Sequence, residues 1–503
     1  MKKSELFTIR TSNAAKYMFV LLMVSTLVMS GCGLEADEEN NQNNVQKTEN
    51  GEINITIGSS LDDEAASSDV TKDDISDEDA IKIQINNEDN PVITSDELID
   101  EEEAVEEEEE EEDIYDPVNK MYSIHPQSKD EVTLAFVGDV GFAEGYATIN
   151  RYRSMGSDIH NNIQGPVLDI MQSADIMMAN NEFPYSYRGS PTPNKAYTFR
   201  ADPKDVSIMK DMGVDIVSLA NNHAYDYGPD ALIDTVDTLN DAMLPFVGAG
   251  KNIDEAMRPA YFRANKKTIA FVSATQIERL GNPDTREATA DSPGVLRTLD
   301  PAKAVEVIKE AEANSDFVVM YVHWGSESTD LVEQSQRDLA KAYVDAGCDL
   351  VIGDHSHCLQ GIDYVDSVPV FYSLGNYWFN SKTLDTCIVR VTLDSECTIS
   401  KVEFIPCIQT GSCVKIGDGD NYDRILEYMR GISNYAEIDS NGFVTESSED
   451  HNRQNGQNTS PARKPPEPAV TDAILPDPAA LVLPEQEGAA PAGDTLQGGD
   501  VPQ

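Results

Sequence analysis

Seven histidines occur in the 503 residues, and four of them, His223, His323, His355 and His357, fall within five residues of the end of an apolar run that reads as a buried strand. Two acidic residues share that placement, Asp139 in Val137-Gly138-Asp139 and Glu182 in Asn180-Asn181-Glu182, and Asn222 directly precedes His223. Carboxylate oxygen, amide oxygen and imidazole nitrogen together form the ligand set of borderline divalent ions such as Zn, Mn or Fe. A bridging carboxylate can hold two such ions about 3.5–4 Å apart, where they activate water and clamp a phosphoryl oxygen. That would be hydrolysis without a protein nucleophile. Taken singly, each residue has a plainer reading: a strand-end Asp is commonly a turn or cap residue, and Glu182 before Phe183-Pro184 could be solvated. The His-Ser-His at 355 to 357 is more specific, because on an irregular loop side chains two apart can converge on one ion. The metal reading rests on all of these residues recurring at one edge of one sheet.

The elements that must position them follow from periodicity. Apolar runs at 132–137, 175–179, 215–219, 268–272, 317–322, 349–352 and 368–372 read as buried strands, and amphipathic stretches between several of them read as helices. The helix expected over 203–212 has Asp202 as its cap and Gly213 as its stop; others are expected over 229–242 and over 331–346, before Gly347. Strand and helix in alternation indicate an α/β domain, in which ligands gather outside the carboxyl ends of the strands. Two alternating runs, 386–393 and 398–405, have no helix between them and predict an antiparallel hairpin.

Composition divides the rest of the chain. The formal net charge is -53, which argues against nucleic acid as the main partner because phosphate binding needs basic surface. Residues 33–116 hold 32 acidic and 3 basic side chains, so this stretch carries -29 of the total. It reads as a disordered, self-repelling linker. Nine of the 25 prolines fall in the last 43 residues, and 439–503 reads as a second unpacked tail. At the N-terminus, Lys2, Lys3, Arg10 and Lys16 precede an apolar run that ends in Ser30-Gly31-Cys32, the layout of a secretory signal. Leu27 to Cys32 resembles a bacterial lipobox, with Met29 where Leu is usual, so residues 1–32 are expected to be a lipoprotein signal and Cys32 the lipidated residue. The bulk of the chain is then extracytoplasmic and anchored to the membrane. Six further cysteines allow one or two bridges between Cys387 and Cys413, or buried free thiols.

Several separated blocks agree in order with a known family: Val137-Gly138-Asp139, Asn181-Glu182, Ser218 to His223 with Asp226 and Gly228, Tyr321 to Glu327, Gly353 to His357 with Leu359-Gln360-Gly361, and Tyr372 to Asn376. Over about 131–380 the chain resembles the poly-gamma-glutamate capsule synthesis protein CapA family, with 381–438 expected as a β-rich extension of that core. The resemblance implies a fold similar to the calcineurin-like metallophosphoesterases, a two-sheet β-sandwich flanked by helices with a two-metal site at the strand ends. It implies Asp139, Glu182 as bridging carboxylate, Asn222, His323, His355 and His357 as ligands of one or two divalent ions, and His223 as general acid. Two departures stand out: Gly141 replaces the histidine of the Asp-x-His motif, leaving one metal position a ligand short, and Asp354 lies beside the H-x-H pair. Trp324, Lys195 and Arg200 are candidates for binding an anionic substrate, against plainer readings as core packing and solvated loop charges.

The function expected is that of a surface lipoprotein acting in synthesis, export or attachment of poly-gamma-glutamate or a related anionic polymer, with membrane-embedded capsule machinery as a possible partner. A metal-dependent hydrolase of phosphoester or γ-glutamyl amide bonds is the alternative, and a non-catalytic polymer or peptide binder is a third.

Overall fold

The computed structural model describes residues 113–277 and 285–448, together with five short strands nearer the N-terminus. In that N-terminal unit Glu5–Ile9 pairs antiparallel with Ile81–Ile85, and Asn44–Lys47, Ile53–Ile57 and Ala66–Asp69 form an antiparallel meander. These strands fall inside the segments that composition reads as signal and unpacked linker. Cys32 and the remainder of residues 1–112 lie outside the described residues, as does the Pro-rich tail beyond 448.

The core is mixed α/β, built on two eight-stranded sheets. The strands that matter to the site are β1 (Val132–Val140), β2 (Ile176–Asn181), β3 (Ile216–Ser218), β4 (Phe317–His323), β5 (Leu350–Asp354), β6 (Asn376–Trp378), β7 (Leu384–Leu393) and β8 (Ile399–Thr410). The first sheet runs Phe246–Val247, β3, β2, β1, β7, β8, Cys413–Ile416, with β6 beside the end of β1. Its first four strands are parallel, and β7 and β8 continue it antiparallel. In the second sheet Val368–Phe371, β5, β4 and Lys267–Thr275 are parallel neighbours.

Alternation of side chains along the strands sets the layers. Leu134 and Phe136 of β1 share one core with Phe271, Val319, Tyr321 and Ile352 of the second sheet, so the two sheets pack face to face. Ala135 and Val137 point the other way, under helices that bury Leu168, Met171, Leu232 and Val236. On the far side, Val318, Met320 and Val351 lie under helices carrying Val307, Ile308, Leu339 and Tyr343. Strands covered on both faces read as continuous apolar runs, which is why they are visible in the sequence.

The helices follow their local signals. In Pro229–Asp241, Gly228 at φ 85° and Pro229 start the helix, and Ala231, Leu232, Thr235, Val236 and Leu239 form its buried stripe. Gln334–Asp345 starts three residues later than the expected 331 because Glu333 and Gln336 form a capping box. The helix expected over 203–212 is a 3₁₀ turn, Pro203–Val206, running into Ser207–Asp211, with the Asp202 side chain accepting from the Lys204 N–H. Two boundaries shift. The core begins by Asp113, since Tyr115–Asp116 pairs with Met121–Ser123, and it extends past 438, since Ala436–Ile438 pairs with Val444–Glu446. Within the 381–438 stretch, β7 pairs directly with β1. Cys348, Cys358, Cys387, Cys397, Cys407 and Cys413 are free thiols, and all but Cys413 are buried. No helix among the described residues is long and apolar enough to cross a membrane.

Candidate metal centre

The carboxyl ends of β1, β2, β4 and β5 meet at one point between the sheets. Asp139, next to last in β1, is fully buried; its Oδ1 accepts from Asn180 Nδ2 at 3.0 Å, and its Oδ2 lies 3.0 Å from His357 Nδ1. Burial would raise this carboxyl, but the His357 hydrogen bond and the His357 and His323 imidazoles outweigh it and lower it to about 2.

Glu182 follows β2 directly, placed by its own N–H to the Val140 carbonyl at 3.2 Å. Both of its carboxylate oxygens are buried without a hydrogen-bond partner. Burial, then the neighbouring Asp139 and Asp354, raise it well above the usual carboxylate range. A buried polar group left unpaired in this way is costly unless something binds it.

His323 closes β4. Asp354, the last residue of β5, holds its Nδ1 at 2.7 Å, so its Nε2 faces a point shared with Asn222 Oδ1 at 2.8 Å and His355 Nδ1 at 2.9 Å. A carboxylate behind a ligating imidazole fixes ring orientation and tautomer, the usual support of a metal-bound histidine. Burial lowers His323 to about 3 and His355 well below its ordinary value, so both rings are neutral with lone pairs available. His355 and His357 take positive φ angles of 88° and 56°, an unfavourable conformation for residues with a Cβ and one that concentrates at functional sites. His357 is the open side of the cluster, with its side chain 21% exposed.

His223 follows β3 by five residues. Its Nδ1 lies 2.7 Å from Asp226 Oδ2, and its Nε2 lies 3.8 Å from Glu182 Oε1. Burial lowers its pKa against the opposing pull of Asp226. Lys195 Nζ, buried, donates at 2.5 Å to both Asp226 Oδ1 and the Asn222 carbonyl. Lys195 therefore braces the loop that carries Asn222 and His223.

Three ligand groups emerge: Glu182 with His323 and His355; Asp139 with Glu182 and His357; and Asp139 with His323 and Asp354. The first two share Glu182, whose two free oxygens can face two ions at once. The structure thus brings Asp139, Glu182, Asn222, His223, His323, His355 and His357 together.

It does not bring together all the substrate candidates. Trp324 is corrected to a core residue: it is buried, donates its indole N–H to the Tyr372 carbonyl at 2.8 Å, and stacks on Tyr372 and Tyr343. Arg200 lies over the Tyr227 ring of the loop after β3, 4.1 Å from its centroid, and donates to the Arg188 carbonyl of its own loop, so its guanidinium is engaged by these two partners. Other contributors escaped notice. Asn180 bonds Asp139, Phe199 stacks on His223 with centroids 4.2 Å apart, and Phe379 lies 5.2 Å from the His357 ring. The one sequence signal for Asn180 is its place at the end of an apolar run; nothing marks the two phenylalanines.

Residues 133–381 match the family described as bacterial capsule synthesis protein PGA_cap. The chain is 32% identical over 271 residues to the PGA biosynthesis protein CapA of Bacillus subtilis, covering 53% of this chain and 69% of that one. It is 31% identical over 315 residues to the capsule biosynthesis protein CapA of Bacillus anthracis, covering 60% and 74%. A probable polyglutamine synthesis accessory protein of Mycobacterium tuberculosis is 28% identical over 221 residues, covering 42% and 58%. On these matches, and with the block motifs converging on one site, the chain belongs to the bacterial capsule synthesis CapA family.

Proposed function

We propose that the protein is an accessory factor in the synthesis, export or attachment of poly-gamma-glutamate or a related anionic capsule polymer, carrying a two-ion centre of the metallophosphoesterase type. In this reading it is an extracytoplasmic lipoprotein anchored through Cys32, and membrane-embedded capsule machinery is its partner. The polymer role is supported by family membership and by the likeness to a PGA biosynthesis protein and a capsule biosynthesis protein of two Bacillus species. The ion centre is supported above all by Glu182, a buried carboxylate with both oxygens unpartnered between two sets of ligand atoms.

The donor set fits divalent ions. Glu182, Asn222, His323 and His355 would hold one, with Asp139, Glu182 and His357 around the other. Mn, Zn or Fe suits such mixed oxygen and nitrogen donors, and bound there would supply Lewis acidity toward a phosphoryl or carbonyl oxygen. The chain's own residues do the rest. Asp226 fixes His223 through Nδ1, leaving Nε2 toward Glu182; in the imidazolium form, which the Asp226 carboxylate favours, Nε2–H can pass its proton to a leaving oxygen and the ring returns to neutral. Phe199 and Phe379 pack at 5.5 Å and form an apolar wall beside His223 and His357. Substrate enters past His357.

Two measurements test this. Deletion of the gene should reduce surface polymer, and unchanged polymer would sink the capsule role. The purified protein should retain Mn, Zn or Fe, and the double change His355→Ala with His357→Ala should release it. Hydrolysis of a phosphoester or γ-glutamyl substrate that is lost with the metal would make the protein a hydrolase. Polymer binding that ignores a chelator would make it a non-catalytic binder.

A further inference from the structure

We infer that Asn376 is a ligand of the ion held by Asp139, Glu182 and His357, in the place that a histidine at position 141 would otherwise fill; this rests on the two-ion reading above. Asn376 opens β6, which pairs in parallel with β1 so that Asn376 stands opposite Asp139. Residues opposite each other on neighbouring strands carry their side chains on the same face, about 5 Å apart. The Asn376 side chain is buried, and its Oδ1 lies 2.9 Å from His357 Nδ1, the same nitrogen that sits 3.0 Å from Asp139 Oδ2. One imidazole nitrogen facing two oxygens at these distances has at most one proton to offer. Ligand atoms about 2.1 Å from a common ion stand roughly 3 Å apart, so the His357 nitrogen already lies at the spacing of a coordination shell from each of the two oxygens.

The backbone is shaped to bring Asn376 there. A Cβ on Gly138 would lie 2.0 Å from the Gly375 carbonyl oxygen, and that oxygen accepts the Asp139 N–H at 3.0 Å. Gly375 itself has φ 69°, the left-handed region that suits glycine. Two glycines thus allow the start of β6 to lie against β1 at the residue that ligates. On the other side, a Cβ on Gly141 would meet the Phe379 ring at 2.7 Å, so the space a histidine at 141 would need is filled by an aromatic ring that also packs on His357. The ligand position has moved from the chain after β1 to the strand beside it.

The exchange changes the chemistry of the pair. With Asn376, this ion has three oxygen donors and one nitrogen, while its neighbour has two of each. The oxygen-rich position is the harder of the two and favours Mn over Zn.

The test strips the purified protein of metal and titrates it with Mn, reading bound against free ion by electron paramagnetic resonance and following thermal stability in chelator. Wild type should take two equivalents. Asn376→Leu should keep one and weaken the other at least ten-fold, with its melting temperature in chelator unchanged. Asn376→Asp, which keeps an oxygen at the same place, should retain both. Two equivalents at wild-type affinity in Asn376→Leu would overturn the assignment, and so would equal loss in the Leu and Asp variants, which would make the residue a packing element. Wild type that binds no Mn or Zn at all would instead bring down the two-ion reading itself.

Discussion

Carboxylates stand at both ends of the sheet strands, and they are handled in opposite ways. At the amino ends, Asp175, Asp215, Asp316 and Asp349 each accept a backbone N–H from the neighbouring strand, from Thr133, Met177, Thr268 and Val318, at 2.7 to 2.8 Å. Each also donates its own N–H to the carbonyl of that same residue, so the ladder closes on itself in both sheets. At the carboxyl ends, Asp139 is hydrogen-bonded by side chains, and Glu182 accepts no hydrogen bond, with the His223 and His323 imidazoles 3.8 Å away. One edge therefore spends its carboxylates on satisfying the backbone, and the other leaves lone pairs pointing at a common centre. Placement at a strand end does not by itself mark a functional carboxylate; what marks it is the lack of a backbone partner.

The largest effect should come from Glu182→Gln. The change removes the shared carboxylate, so metal analysis should find both ions lost. The metal-free protein should at the same time gain about 1–3 kcal/mol at neutral pH, because a carboxyl that burial and its acidic neighbours hold well above its ordinary range is disfavoured there and a neutral amide carries no such penalty. For a chain of this size that is several degrees of melting temperature in chelator. A variant that binds metal normally, or one that is less stable than wild type in chelator, would mean that Glu182 is a structural residue like those at the other edge.

Gly138→Ala should come next. Its Cβ cannot fit 2.0 Å from the Gly375 carbonyl oxygen, so β6 must move away from β1. Overpacking of this kind costs about 1–3 kcal/mol or more. The ion beside Asp139 should weaken while the one between His323 and His355 persists, which metal titration would resolve. Equal loss of both ions would show that the two positions are not separable.

Asp215→Asn tests the other edge. Burial raises Asp215 from 3.8 to about 6, although the Met177 N–H pulls the other way. A carboxyl whose folded pKa is raised binds more protons folded than unfolded, so wild-type stability falls as pH rises through the window from about 4 to 6. The penalty is complete above about 6. Asparagine keeps an acceptor for Met177 and carries no charge, so the variant should be more stable by about 1–3 kcal/mol at pH 7.5 and equal to wild type below pH 4. Denaturant unfolding at the two pH values reads this directly, and a gain that does not depend on pH would refute the cause.

Much of the site can be read from the sequence, and for a physical reason. Strands buried on both faces appear as unbroken apolar runs such as 132–137 and 317–322, and an ionisable residue just past such a run is conspicuous. That is how Asp139, Glu182, His323, His355 and His357 could be singled out. Asn376 was harder to see because Gly375-Asn376 reads first as a turn, and only the parallel pairing with Asp139 gives it a direction. Trp324 misled because its position next to His323 says nothing about facing: consecutive residues leaving a strand point opposite ways, and its indole lies in the core under the Gln334–Asp345 helix. Lys195 and Arg200 share one loop, yet one is buried against Asp226 and the other stacks on Tyr227, a difference that depends on tertiary contacts alone.

The smallest expected effect is the most direct comparison, since the same Asp→Asn exchange can be made at both ends of one strand pair. Asp175 accepts the Thr133 N–H through Oδ2 at 2.7 Å and the Gln127 N–H through Oδ1 at 3.0 Å. Asparagine keeps one of these oxygens and turns the other into a donor, so Asp175→Asn should cost less than about 1 kcal/mol and leave metal content untouched. Asp139→Asn changes no more atoms, yet it removes the negative oxygen that faces His357, and with it most of the attraction for an ion held by Asp139 and His357. Paired melting curves and metal counts on the two variants set the ends against each other. Metal loss from Asp175→Asn, or none from Asp139→Asn, would erase the distinction between a carboxylate that closes a sheet and one that is kept open for a ligand.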